Sequence, residues 1–91
     1  MSLDLETRRR RAAFRANHRG TKEMDWLLGK YADVQLPTMT EQELKLFETL
    51  IEMPDPDLQT WILEPAPVAG TDIAPLIAAL RGFHKLDRPV A

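Results

Sequence analysis

Arg19-Gly20-Thr21-Lys22-Glu23, followed by Met24-Asp25, sets a guanidinium and two carboxylates on either side of a glycine. Groups of opposite charge held about a rigid corner suit recognition through charge-assisted hydrogen bonds. Bond-making chemistry has far less to work with. The chain has two His without metal-ligand spacing, no Cys, no Ser in a nucleophile context and no Gly-rich phosphate loop. Carboxylate pairs such as Glu41 and Glu43 fall on a helix face expected to be exposed. The expectation is therefore a protein-binding module with no catalytic residues, no metal ligands and no tightly bound cofactor, rather than an enzyme.

The elements that position the corner read as helical throughout. A first helix is expected from about Asp4 to His18, ended by Gly20, whose freedom at positive φ suits a left-handed cap. A second starts at Thr21 or Lys22 and runs to Gln35, with Met24, Leu27, Leu28 and Tyr31 on one stripe. Glu23 and Asp25 fall in its first turn, where negative charge meets the positive end of the helix dipole. Leu36-Pro37-Thr38-Met39 breaks the pattern. Thr40-Glu41-Gln42-Glu43 has the form of a capping box, opening a third helix with Leu44, Phe47, Leu50 and Ile51 buried and Pro54 at its end.

Asp55-Pro56 reads as an N-cap followed by a proline at the first helical position. A short fourth helix to about Leu63 would then bury Leu58, Trp61 and Ile62. Residues 64–70 hold two Pro and a Gly and read as a loop. Asp72 is expected to cap a fifth helix carrying Ile73, Leu76, Ile77, Leu80 and Phe83 on its inner face. Residues 87–91 are expected to be a tail. No stretch alternates with period two for long enough to be a strand, so the fold class is all-α, a five-helix bundle forming one small domain over residues 1–91.

Charge is unevenly distributed. Residues 1–22 carry seven Arg or Lys against Asp4 and Glu6, and the remainder carries five basic residues against twelve acidic ones. At about 100° per residue, Arg8, Arg11 and Arg15 share one sector of the first helix, beside Leu5, Ala12, Ala13 and Ala16. This row is either a solvated face or a cationic surface for an acidic protein. Nucleic acid suits it less, because the acidic remainder repels phosphates. The absence of cysteine fits a reducing compartment. No apolar run is long enough for a transmembrane helix. The Arg-rich N-terminal segment lacks a signal peptide's apolar core and is read as mature protein, with Met1-Ser2-Leu3 as a cloning remnant.

Arg-Gly-x-x-Glu at the first helix junction resembles the signature of the succinate dehydrogenase assembly factor 2 family, the bacterial and mitochondrial flavinylation factors. A second stretch, Leu50-Ile51-Glu52-Met53-Pro54-Asp55-Pro56-Asp57-Leu58-Gln59-Thr60-Trp61-Ile62-Leu63, is similar to that family's Leu-Leu-Glu-x-x-Asp-Pro-Asp-Leu-x-x-Trp segment, at the family's spacing from the first. The resemblance implies a five-helix bundle that binds the flavoprotein subunit of succinate dehydrogenase, with fumarate reductase as a further client, and promotes covalent attachment of FAD to a His of that subunit. It implies that FAD belongs to the client, and that Arg19, Gly20 and Glu23 contact the flavoprotein.

Asp25 and Lys22 are expected to assist, together with the basic row of Arg8, Arg11 and Arg15. Trp26 lies off the apolar stripe of its helix and is read equally as core or interface. Local structure offers a plainer account of the corner, a helix cap with an Arg19–Glu23 surface ion pair. Asp55, Asp57 and Trp61 have a sufficient structural account as helix start and core anchor. A cytoplasmic bacterial protein, monomeric when free, is expected, with relatives in the mitochondrial matrix. Two other readings remain: an antitoxin-like regulatory module, and a nucleic-acid-binding helical module.

Overall fold

The computed structural model describes residues 4–64 and 72–86. Five α-helices follow one another: α1 Leu5–Asn17, α2 Lys22–Gln35, α3 Glu41–Ile51, α4 Asp55–Leu63 and α5 Ala74–Phe83. A single 3-10 turn, Leu36–Thr38, occupies the predicted break after α2. Among the described residues there is no strand, so the expected all-α bundle is what forms.

Most helix starts follow local chemistry. Asp4 caps α1 by accepting the Thr7 N–H at 2.7 Å. Thr21, outside α2, accepts the Met24 N–H through its hydroxyl. The capping box of α3 is complete, with Thr40 Oγ1 accepting from Glu43 N–H at 3.1 Å and Glu43 Oε1 accepting from Thr40 N–H at 2.8 Å.

Two predicted caps are not used. The residue outside α4 is Pro54, Asp55 and Pro56 are its first two helical residues, and no side chain caps that end. Asp55 is drawn away by a stronger partner, described below. Ile73 stands outside α5, again with no side-chain cap bond, and Asp72 lies one position too early to serve. Residues 65–71, most of the predicted Pro-rich loop, and the 87–91 tail lie outside the described residues.

The core is one continuous cluster. Met24, Leu27 and Leu28 of α2 meet Leu44, Phe47 and Leu50 of α3, Leu58 and Ile62 of α4, and Leu80 of α5. Tyr31 joins it, offset from Phe47 at 6.1 Å and meeting Phe83 edge-on at 5.4 Å. From α1 only Ala12 and Ala16 are fully buried, so α1 and α2 pack closely. Gly29 is part of that seam: a Cβ there would fall 2.3 Å from Asn17 Oδ1. Asn17 is held in place by donating to Ala13 O at 2.8 Å and to Asp33 Oδ1 at 3.2 Å. Trp61, predicted as a core anchor, is only partly buried against the cluster. Leu86, at the edge of the predicted tail, also packs against it.

Candidate functional site

The α1–α2 corner is held by its own backbone and one carboxylate. Gly20 has φ +112°, a conformation that side-chain-bearing residues rarely adopt, while the space around its Cα is open. The glycine is therefore required by dihedral angle, not by packing. Asp25, one turn into α2, reaches back and accepts the Arg19 N–H at 2.5 Å. That bond satisfies the N–H of a residue just beyond the C-cap of α1. Asp25 thus braces the corner from within.

Arg19 turns inward. Its guanidinium bonds Asp55 Oδ1 from both Nε, at 2.8 Å, and Nη2, at 2.7 Å. Nη1 donates to Ile51 O and Nη2 to Met53 O at 3.0 Å. Its side chain is 11% exposed and that of Asp55 25%. Ile51 is the last residue of α3, whose final turn carries no basic residue of its own. Arg19 supplies the missing cation at the negative end of that helix. The expected Arg19–Glu23 ion pair does not form, because three acceptors at the α3–α4 junction take the whole guanidinium.

The two sequence motifs are therefore one structure. Arg19 of the first is locked onto Asp55 of the second, and Gln59 Nε2 donates to Glu23 Oε1 at 3.3 Å across the same junction. Glu23, Lys22, Asp57 and Gln59 are exposed around it. Glu23 and Trp26 stand three residues apart, on the outer side of α2. Trp26 is 50% exposed, and its ring lies 4.4 Å from that of His84. His84 in turn donates from Nε2 to Leu27 O at 2.8 Å. That bond ties the end of α5 to α2, a role beyond the dipole contact its last-turn position suggests. Trp26 is thus neither core nor free; it is a braced, half-open indole beside the corner.

The basic row divides. Arg8 bonds Glu48 at 2.7 and 3.3 Å and Glu41 at 3.3 Å, and Arg15 bonds Glu52 at 2.5 Å. The bonds to Glu48 and to Glu52 hold the Arg8 and Arg15 pKa values above the ordinary guanidinium range, and the bond from Arg15 holds the Glu52 carboxyl below the usual carboxylate range. These two arginines fasten α1 to α3. Arg11 makes no ion pair among the described residues and is exposed.

Sequence reasoning missed Asp55 as a partner of Arg19, and Gln59 as a partner of Glu23, because each pair is separated by 36 residues. It also missed Arg81, which repeats the device of Arg19 by donating to Ile62 O and Glu64 O at the end of α4. Among the described residues no group of three His, Asp or Glu could hold a metal ion, and no helix is long and apolar enough to cross a membrane.

Residues 10–84 match the family described as "Flavinator of succinate dehydrogenase". The chain is 43% identical over 85 residues to the FAD assembly factor SdhE of Acetobacter pasteurianus, covering 93% of this chain and 78% of that one. It is 35% identical over 65 residues to the mitochondrial succinate dehydrogenase assembly factor 2 of Dictyostelium discoideum, and 38% identical over 58 residues to that of Yarrowia lipolytica. It spans 46% and 40% of the lengths of those two mitochondrial relatives.

Proposed function

The chain belongs to the family of flavinators of succinate dehydrogenase, and from that premise we propose that it binds the flavoprotein subunit of the enzyme and promotes covalent attachment of FAD there. One observation carries the assignment of the surface: both motifs converge on a single clamped junction, with Glu23, Lys22 and Trp26 exposed beside it.

The division of labour at the corner follows from its geometry. Gly20, Asp25 and Arg19 set its shape; Glu23 and Trp26 meet the client. The helper contributes no reacting group. It binds one arrangement of the client's domains more tightly than others and so raises the population in which the client's His faces the flavin. FAD stays with the client throughout, fumarate reductase is a second client, and the chain works in the bacterial cytoplasm as a monomer between encounters.

The test is in-gel flavin fluorescence of the succinate dehydrogenase flavoprotein, with and without this chain at matched protein levels. Fluorescence should rise with the wild type and fall with Glu23→Ala, a substitution of an exposed side chain that leaves the fold intact. Equal fluorescence with and without the wild-type chain would refute the function. Full activity of Glu23→Ala would remove Glu23 from the contact surface.

A further inference from the structure

Among the described residues, the outer face of α1 is largely exposed. Thr7, Arg10, Arg11, Phe14 and His18 follow at helical spacing on the side opposite the Ala12 and Ala16 seam. Phe14 is the most exposed of the large apolar side chains among the described residues, at 63%. Its ring stacks on His18 with centroids 4.0 Å apart and an 18° interplanar angle, and His18 Nδ1 lies 2.7 Å from Phe14 O. Phe14 is one wall of a shallow depression of about 480 Å³ lined also by Thr7, Arg10, Arg11 and Arg15, and His18 backs its ring. An exposed Phe brings no advantage to a helix, where Ala, Lys or Arg is intrinsically better.

The charges sort in the same way. Arg8, Arg9 and Arg15 are engaged by Glu48, by Met39 O and by Glu52. Arg10 and Arg11, which flank Phe14 four and three residues before it, make no ion pair among the described residues. The remainder of the chain from residue 23 on is acidic, so a negatively charged partner is repelled elsewhere and steered to this face.

We propose that the Arg10–Arg11–Phe14–His18 face is a second docking surface, which receives an acidic segment of the client flavoprotein carrying one apolar side chain over Phe14. The carboxylates pair with Arg10 and Arg11, and the apolar group covers the ring. A rigid, stacked aromatic loses little conformational freedom on binding, which favours it as an anchor. The face from Arg10 to His18 runs roughly 12 Å along the chain and ends at His18, next to Arg19, so one client surface spans both it and the corner. Two guanidiniums displace too few counterions for useful binding to a polyanion that the acidic remainder repels.

This inference rests on the function proposed above, and the experiment separates the two. Binding of the full chain to the purified client flavoprotein is measured for wild type, Glu23→Ala, Arg10→Glu/Arg11→Glu and Phe14→Ala, at about 50 and 200 mM salt. Helicity and melting temperature of each variant are checked first; these exposed sites should leave both unchanged. Arg10→Glu/Arg11→Glu should weaken binding about tenfold or more, with the loss shrinking at the higher salt. Phe14→Ala should weaken it about five- to thirtyfold at both salt concentrations. If both variants bind like the wild type while Glu23→Ala does not, the face has no role and the corner keeps its own. If the wild type does not bind the client, both readings fall. Tight binding of a DNA duplex that the double reversal abolishes, with client binding intact, would also overturn the proposal.

Discussion

Arg19→Ala removes the side chain that makes most of the bonds between the α1–α2 corner and the α3–α4 junction. Four contacts go at once: two to Asp55, and one each to Ile51 O and Met53 O. Taking one partner from a buried ion pair costs about 3–5 kcal/mol, because the other charge is left without a counter-charge. Asp55 keeps 25% of its side-chain exposure, so water replaces part of the lost bonding and about 2–4 kcal/mol is expected here. A domain of this length is stable by roughly 5–14 kcal/mol in total. The melting temperature should therefore fall by about 10–30 °C. Thermal and urea unfolding followed by helical circular dichroism, on Arg19→Ala, Asp55→Ala and the double variant, complete a thermodynamic cycle. Its coupling energy should be about 1–3 kcal/mol. Should Arg19→Ala melt within roughly 2 °C of the wild type and still fail in flavinylation, the guanidinium would have to act on the client, and the internal clamp would be the wrong account.

Gly20→Ala should cost about 1–3 kcal/mol through backbone strain alone, since an added Cβ meets no atom close enough to clash, and a synthetic chain with D-alanine at that position should recover much of the loss, because positive φ is the favoured side for a D-residue. Gly29→Ala should destabilise by about 1–3 kcal/mol through overpacking against Asn17. In an Asn17→Ala background the same change should become neutral or favourable, because the clash is gone and alanine's helix preference remains, as melting curves will show. The folded-state pKa of Glu52 lies below its ordinary value of 4.5, chiefly through the bond from Arg15. Its contribution is therefore present above the unfolded pKa and is lost as pH falls through the folded one. Glu52→Gln should flatten the dependence of stability on pH below about 5, and leave it unchanged near neutrality.

The helices and their polarity were legible from the sequence, because their causes are local. Thr40 and Glu43 satisfy each other's backbone donors within one turn. The Met24–Leu27–Leu28–Tyr31 stripe lies on one face whatever it meets, and Gly20 marks the place between α1 and α2 where positive φ costs least. The Arg-Gly-x-x-Glu corner stood out for the same reason, since its residues are neighbours in the chain. What each charged side chain does there was not legible. Asp55 reads in the sequence as a helix cap, yet it is the first residue inside α4 and binds Arg19, because a guanidinium in a half-buried site is a stronger partner than a backbone N–H. Arg8 and Arg15 share a helix sector with Arg11, but only packing against α3 sets Glu48 and Glu52 beside the first two and leaves the third open. Trp26 could be placed only once α5 delivered His84 to its ring. Local hydrogen bonding and periodicity act over one or two turns, so sequence alone determines them. The choice among competing partners for a charge depends on which acceptors the folded chain brings within reach, and that is decided only when the helices meet.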